Sequence, residues 1–321
     1  LHISRQNMAN WTIQCADRYL AVLYDYLHEK MYHYHVLQAD ETPVLVNKDG
    51  RSAGSKSFMW VYRTGRMYTD RQIVLYEYQK TRNASHPREF LKDFKGICVT
   101  DGYQVYHTIE NEREDLKISG CWSHARRRFD EAVKALPKAA RNGSRAYLAL
   151  SMIQAIYREE KLLKELPSEE RKLRRQLSVR PLVEAYFTWA KETIRKVPQK
   201  SKTWEGFQYS MNQEKYLKVF LDDGEVPMDN NAAEQSIRGF CIGKKNWVMI
   251  DTVAGAKSSA IIYSIAETAK ANNLKPYDYF EHLLSEIPKH LDDTDRSFLD
   301  DLLPWSPKLP ANCRKTGKEV K

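Results

Sequence analysis

The sequence predicts an α/β fold in which a mixed, five-stranded sheet is flanked by helices and a long helical insertion interrupts the sheet domain. Three features of the chain lead there. β-branched and aromatic residues recur at strand spacing between about residues 34 and 121. Apolar residues recur at helical spacing on either side. Residues 144–220 are rich in Leu, Glu, Lys and Arg and hold few strand signals.

Each element follows from local pattern. Residues 11–31 predict a helix, because Leu20, Leu23, Leu27 and Met31 fall on one face, with the polar stretch from Ser4 suited to an N-cap. His35–Asn47, Phe58–Tyr62 and Gln72–Tyr78 predict three successive strands, separated by Gly-containing turns, and so an antiparallel meander. Ser85–Phe94 predicts a short helix capped by Ser85, with Pro87 in its first turn. Lys95–Thr100 and Asp115–Cys121 predict the fourth and fifth strands, with a helix from about His124. Helices are also expected over Asn230–Ile237, Ala254–Ala271 (stopped by Asn272-Asn273) and Pro276–Ile287. The acidic-basic run Glu169–Arg175 reads as a solvated helix face. The implied organisation is a helical segment over 1–33, a catalytic domain from 34–143 and 226–275, a helical insertion over 144–225, a helical segment over 276–303 and a mobile tail over 304–321.

Composition narrows the function. The chain has 321 residues, 42% hydrophobic and 29% charged, as in a globular protein. No run of about 18 apolar residues exists, so no membrane span is expected. The N-terminus has no signal-peptide core, and five scattered cysteines suit a reducing compartment, so a cytoplasmic location is expected. The chain does not begin with Met, which predicts that it is part of something longer. A net charge of +9 favours polyanionic partners.

Three acids have settings suited to catalysis. Asp40 interrupts a β-prone run. Because strand neighbours alternate faces, Asp40 and Glu41 cannot serve the same site. Asp101 ends an apolar strand and is followed by Gly102, which permits a sharp exit and close approach of a ligand. Glu234 falls in the first turns of a helix that Asp229 or Asn230 can cap; Asp229 is a rival for its role. Carboxylates of this kind suit Mg²⁺, which takes oxygen ligands and keeps several waters. Cys121 and His124 form a C-x-x-H pair, two ligands where structural zinc needs four, so zinc is not expected. Two basic segments stand near the later acids: His124-Ala-Arg126-Arg127-Arg-Phe129, and Arg238 with Lys244-Lys245-Asn246-Trp247. Both suit phosphate binding, and Trp247 could stack on an unpaired base.

Taken in order, Ala-Asp40-Glu-Thr-Pro, Thr-Asp101-Gly-Tyr, Gly-Cys-Trp-Ser-His-Ala-Arg-Arg-Arg-Phe129, Asp229-Asn-Asn-Ala-Ala-Glu234-Gln-Ser-Ile-Arg238, Gly-Lys-Lys-Asn-Trp247 and Tyr-Ser-Ile-Ala-Glu-Thr-Ala-Lys270 resemble the insertion-sequence-66 family of bacterial transposases. The resemblance spans about residues 1–290. It implies an RNase H-like domain with a DDE triad of Asp40, Asp101 and Glu234, and with the insertion placed before the last catalytic helix. It further implies two Mg²⁺ ions (Mn²⁺ as a substitute) held by the triad, cleavage at element ends and joining of a 3′-hydroxyl to target DNA. His124, Arg126, Arg127, Arg238, Lys244, Lys245, Asn246 and Trp247 would contact DNA. The expected partners are DNA, further copies of the chain and accessory transposition proteins, at the nucleoid. Family members carry additional chain ahead of this region, including a zinc-finger-like segment and a helix-turn-helix, of which this sequence holds little. A nuclease of the same fold without strand transfer, and a non-catalytic DNA-binding fragment, are the competing readings.

Overall fold

The computed structural model describes residues 3–52 and 54–315. In chain order the elements are α1 (Arg5–Cys15), a π-helical turn (Ala16–Leu20), α2 (Ala21–Met31), β1 (Val36–Lys48), β2 (Lys56–Thr64), β3 (Val74–Gln79), α3 (Ser85–Phe90), β4 (Gly96–Val99), α4 (Gln104–Asn111), β5 (Leu116–Ser119), α5 (Trp122–Ala135), α6 (Lys138–Arg141), α7 (Arg145–Leu162), α8 (Ser168–Arg174), a second π-helical turn (Arg175–Val179), α9 (Arg180–Thr193), α10 (Lys202–Leu217), α11 (Asn231–Trp247), β6 (Ile250–Thr252), α12 (Val253–Ala271), α13 (Pro276–Glu286) and α14 (Phe298–Leu302). The class is mixed α/β. Three antiparallel strands are followed by two parallel ones connected through a helix, the succession expected of an RNase H-like fold. Both α4 and the short β6 are additions to the sequence expectation.

The chain forms two compact units, residues 1–95 with 232–321, and residues 96–231.

In the first unit, β1 pairs antiparallel with β2 and β2 with β3, while β6 runs parallel to the end of β1 through Val46 and Lys48. One face of this sheet presents Val44, Val46, Met59, Val61, Val74, Tyr76 and Tyr78. These pack with Ala233, Ile237 and Phe240 of α11 and Ala256 and Ala260 of α12. Small residues let α12 approach closely, and its hydroxyls extend the pairing of β3. Ser264 Oγ accepts from Tyr76 N at 2.7 Å, and Thr268 Oγ1 accepts from Val74 N at 2.9 Å. Backbone donors of that strand are thus paired by a helix, which protects them from another chain. Asn273, at φ 60°, ends α12 as expected of an Asn stop.

The opposite face carries the aromatic stack of Trp60, Tyr62 and Phe90. Glu77 lies on it too, opposite Trp60. Burial pushes the Glu77 carboxyl up to about 7; Gln79 Nε2, donating at 2.8 Å, opposes the shift, and Glu89 adds to it. Its Oε2 has no hydrogen-bond partner among the described residues. Because the folded pKa lies above the unfolded one, the native state holds this proton longer. Stability is therefore full below about pH 4.5 and falls as pH rises toward 7. Glu77→Gln is expected to flatten that fall and to stabilise the protein by about 2 kcal/mol at pH 8. Urea midpoints of both proteins across pH 4–8 check this; parallel curves would contradict it.

In the second unit, β4 and β5 are parallel and α5, α7, α9 and α10 pack into a helical bundle. The insertion is helical as expected, and Glu169, Glu170, Lys172, Leu173 and Arg174 form the expected solvated face, but two arginines of the run do not belong to it. Arg171 and Arg175 are buried, at 4% and 1% exposure. Their guanidinium groups are consumed by main-chain carbonyls and, for Arg175, by Glu160. Charge in the sequence pattern does not distinguish an arginine that is solvated from one whose donors are all satisfied inside.

Three other expectations are corrected. The helix predicted from residue 11 begins at Arg5, where Ser4 Oγ accepts from Asn7 N at 3.1 Å. Asn83, not Ser85, supplies the side-chain acceptor at the start of α3, with Oδ1 3.0 Å from Ser85 N. The predicted mobile tail is packed over its described part: Ser306, Leu309 and Cys313 are buried, and Lys275 N donates to Cys313 O at 2.8 Å. Residues 316–321 of the expected tail lie outside the described residues. No described helix is long and apolar enough to cross a membrane.

Candidate active site

Asp40 lies mid-strand in β1, opposite Val61, which in turn lies opposite Tyr76. Opposed residues, and residues two apart, share a face of a pleated sheet. Asp40 and Thr42 therefore stand on the face that packs against α11 and α12. Glu41 stands on the other. Its side chain is only 2% exposed and forms an ion pair with Arg82, whose Nε donates to Glu41 Oε1 at 2.7 Å. The two adjacent acids are thus separated by the pleat, and a guanidinium neutralises one of them.

Helix α11 runs along β1 in the same direction. Arg63, opposite Gln38 in the register, donates to the Ala232 carbonyl at 3.4 Å and to Ser236 Oγ at 3.3 Å. Tyr76 Oη donates to Ser236 O at 2.7 Å. Further on, Cys241 Sγ meets Thr42 Oγ1 at 3.4 Å and Lys244 Nζ donates to Pro43 O at 2.7 Å. The turn that carries Glu234 is consequently level with the Gln38–Asp40 stretch of β1. Proline at 43 removes one ladder donor, and the lysine uses the carbonyl that Pro43 still offers. Asp229, the rival acid, has Oδ1 accepting from Asn231 N at 3.1 Å, an arrangement suited to starting the helix. Arg63 and Arg82 are functional neighbours of the two acids that the sequence pattern does not mark. An isolated arginine in a strand or turn carries no local signal of the acid or helix end it will serve.

Asp101 belongs to the second unit, just past the end of β4. Its Oδ1 accepts from Tyr103 N at 2.9 Å, a turn that starts α4. The Asp101 carbonyl accepts from Tyr209 Oη at 3.0 Å. Burial, first, and the nearby Cys121 and Asp101 hold the Tyr209 phenol above its ordinary pKa, so it stays a donor. Gly102 sits at φ +90°, and a Cβ there would stand 3.0 Å from Gln213 Oε1 and 3.1 Å from Tyr209 Oη. Glycine meets both the conformational and the spatial requirement. Gly102→Ala is expected to cost about 1–2 kcal/mol and to loosen the Asp101 turn. Chemical denaturation checks the stability loss; an unchanged midpoint would contradict the constraint.

Helix α5 buries Trp122, Ala125, Phe129 and Ala132 and leaves Arg126, Arg127 and Arg128 exposed, with the Arg128 guanidinium 4.5 Å from the Tyr209 ring centre. His124 is half-buried on the first turn. Its imidazole and the Cys121 thiol approach within 4.8 Å. Cys121 Sγ also accepts from Asn230 N at 3.2 Å. On α11, Arg238, Lys245 and Asn246 are exposed, whereas Lys244 is tied to β1 and Trp247 is half-buried against Phe240, with ring centres 5.5 Å apart. The structure therefore places Asp40 on the sheet face against which α11, the helix of Glu234, packs. Asp101 and the α5 arginines lie in the other unit.

Comparison with known proteins identifies the family. The profile described as Transposase IS66 family matches residues 1–258, and that described as IS66 C-terminal element matches residues 264–305. Uncharacterized protein y4qI of Sinorhizobium fredii is 28% identical over 321 residues, covering 97% of this chain and 58% of its own length. Uncharacterized protein y4jD of the same organism is 26% identical over 238 residues, covering 73% of this chain and 45% of its own length. The chain spans about half the length of the curated relatives it matches. Since the two profiles between them cover the strands, the inserted helices and the C-terminal helices, the chain belongs to the IS66 family of transposases.

Proposed function

We propose that the chain carries the catalytic centre for DNA strand cleavage and 3′-hydroxyl strand transfer in the movement of an insertion sequence, with Asp40, Asp101 and Glu234 as its acids. The observation that carries this reading is the sorting of acids in the first unit. Asp40 faces the side bearing the Glu234 helix, while Glu41 is turned away and neutralised by Arg82. An all-carboxylate oxygen donor set fits Mg²⁺ or Mn²⁺ and does not fit a soft metal. Asp40, Asp101 and Glu234 would hold two such ions, which when bound supply a Lewis acid for the leaving 3′-oxygen and an activated attacking hydroxyl.

The chain's own groups then have distinct tasks. β1 fixes the Asp40 carboxylate on a rigid strand, and the Gly102 turn, braced by Tyr209, fixes Asp101. The exposed Arg126 and Arg127 of α5, and Arg238, Lys245 and Asn246 of α11, bind phosphates and set the DNA register, His124 supporting the first group. Lys244 contributes by holding α11 to β1. Copies of the chain and accessory proteins would complete the assembly at element ends, in the cytoplasm at the nucleoid.

The test is a strand-transfer assay with oligonucleotides bearing the ends of the encoding element, in Mg²⁺ or Mn²⁺. Wild type is expected to yield cleaved and joined products, and Asp101→Asn neither. Cleavage without joining would replace this reading with a nuclease. DNA binding unaffected by Asp101→Asn, with no metal-dependent nicking by wild type, would replace it with a non-catalytic DNA-binding role.

A further inference from the structure

The end of α11 presents apolar side chains to solvent. Ile242, Val248 and Met249 are 58%, 57% and 46% exposed. Trp247 packs on Phe240, and at Gly243 a Cβ would come within 2.3 Å of Tyr263 Oη and 3.2 Å of Trp247 Nε1. The indole is thereby held inward, between α11 and α12. It is the following two residues that are left exposed.

Their backbone is held at both ends. Val248 N donates to Lys244 O at 2.8 Å, Met249 N to Trp247 O at 2.7 Å, and the chain then enters β6, paired with β1. Val248 has φ 63°, a left-handed conformation that a β-branched residue rarely adopts and where glycine or asparagine is usual. The side chain at this position is thus kept at a conformational cost.

The surroundings are cationic. Arg238 and Lys245 lie one turn before and one turn after Ile242 on the same exposed face of α11, and no acidic residue occurs between Gln235 and Ile250. Asp251, the first acid beyond, is paired with Lys48 at 2.7 Å. An apolar tip between two exposed cations does not match a purely apolar protein surface. It matches a polymer with phosphates outside and apolar base faces inside. Apolar side chains that enter DNA between base pairs unstack and kink the step, and flanking cations hold the backbone.

We propose that Ile242, Val248 and Met249 form a wedge that unstacks one base step of bound DNA, with Arg238 and Lys245 on the adjoining phosphates. This rests on the DNA-processing reading above. It assigns the base-facing role at this helix end to Val248 and Met249, in place of Trp247.

Duplexes carrying the element's terminal sequence, with 2-aminopurine stepped through successive positions, provide the test. Binding is followed separately by fluorescence anisotropy. Wild type is expected to raise 2-aminopurine fluorescence several-fold at one or two positions. The double variant Ile242→Ser/Met249→Ser is expected to keep its melting temperature, to bind within about threefold of wild-type affinity and to lose the rise, since phosphate contacts carry most of the affinity. Val248→Gly should raise the melting temperature yet lower the fluorescence response, a combination that a purely structural valine would not give. Lys245→Ala should weaken binding and reduce the salt slope by about one. Wild-type binding with no fluorescence rise at any position, or a double variant that keeps the rise, would overturn the wedge and leave the proposed function standing. No DNA binding by wild type would overturn both.

Discussion

Arg175→Ala is expected to destabilise the helical unit by about 3–5 kcal/mol. Arg175 is 1% exposed and sits in the π-helical turn between α8 and α9. Its Nη1 donates to the Phe220 carbonyl at 2.7 Å and the Asp223 carbonyl at 2.5 Å, its Nε donates to Glu160 Oε2 at 3.0 Å, and its guanidinium lies 5.1 Å from the centre of the Phe220 ring. One side chain thus ties α7, the π turn and the loop after α10. Truncation would leave the Glu160 carboxylate, only 17% exposed, without its cation, and two carbonyls without donors. Leaving such groups buried and unmatched is what makes removal of one partner costly. Arg175→Lys should recover only part of the loss, because an ammonium cannot reach three acceptors in a planar fork. Glu160→Gln in the Arg175→Ala background should recover some stability, since it removes the stranded charge. Urea unfolding followed by circular dichroism measures all four proteins. A loss below about 1 kcal/mol for Arg175→Ala would mean that water replaces the guanidinium.

Much of the fold was legible because it rests on periodicities. β1, β2, β4, β5, α12 and α13 fall within a few residues of where their apolar spacing places them. The acid on the packed face of β1 was half legible: alternation showed that Asp40 and Glu41 must part, but not which of them faces α11. That choice depends on register with β2 and on Arg82, forty-one residues away, closing over Glu41. The buried arginines were illegible for a related reason. Apart from Glu160, their acceptors are main-chain carbonyls of residues 163–166 and 220–224, and a carbonyl has no letter in the sequence. Trp247 shows the same limit on the functional side. Beside two lysines it reads as a base-stacking aromatic, yet the absence of a side chain at Gly243 lets it lie half-buried against Phe240. Composition placed cations and aromatics together; packing decided which of them reach solvent.

Asp40→Asn and Glu41→Gln, one residue apart, are expected to divide catalysis from stability. Both changes remove one negative charge and nearly preserve volume. Asp40→Asn removes a carboxylate from the face against which the Glu234 helix packs, and amide oxygen is a much poorer ligand for a hard divalent cation than carboxylate. Cleavage and joining should fall by about a thousandfold, equivalent to about 4 kcal/mol of transition-state stabilisation. Thermal stability and DNA binding should stay close to wild type. Glu41→Gln acts on the opposite face, where it weakens a pair that is buried on the Glu41 side and half-exposed on the Arg82 side. It should cost about 1–3 kcal/mol of stability while leaving the rate per folded molecule within about threefold. Metal dependence adds a third readout. Asp40→Asn should shift the activity that remains toward higher Mn²⁺, whereas Glu41→Gln should leave the Mn²⁺ titration where it is. The reverse pattern, with Glu41→Gln inactive and Asp40→Asn merely less stable, would move the site to the other face of the sheet. Loss of activity in both at unchanged stability would mean that β1 positions its acids differently when DNA is bound.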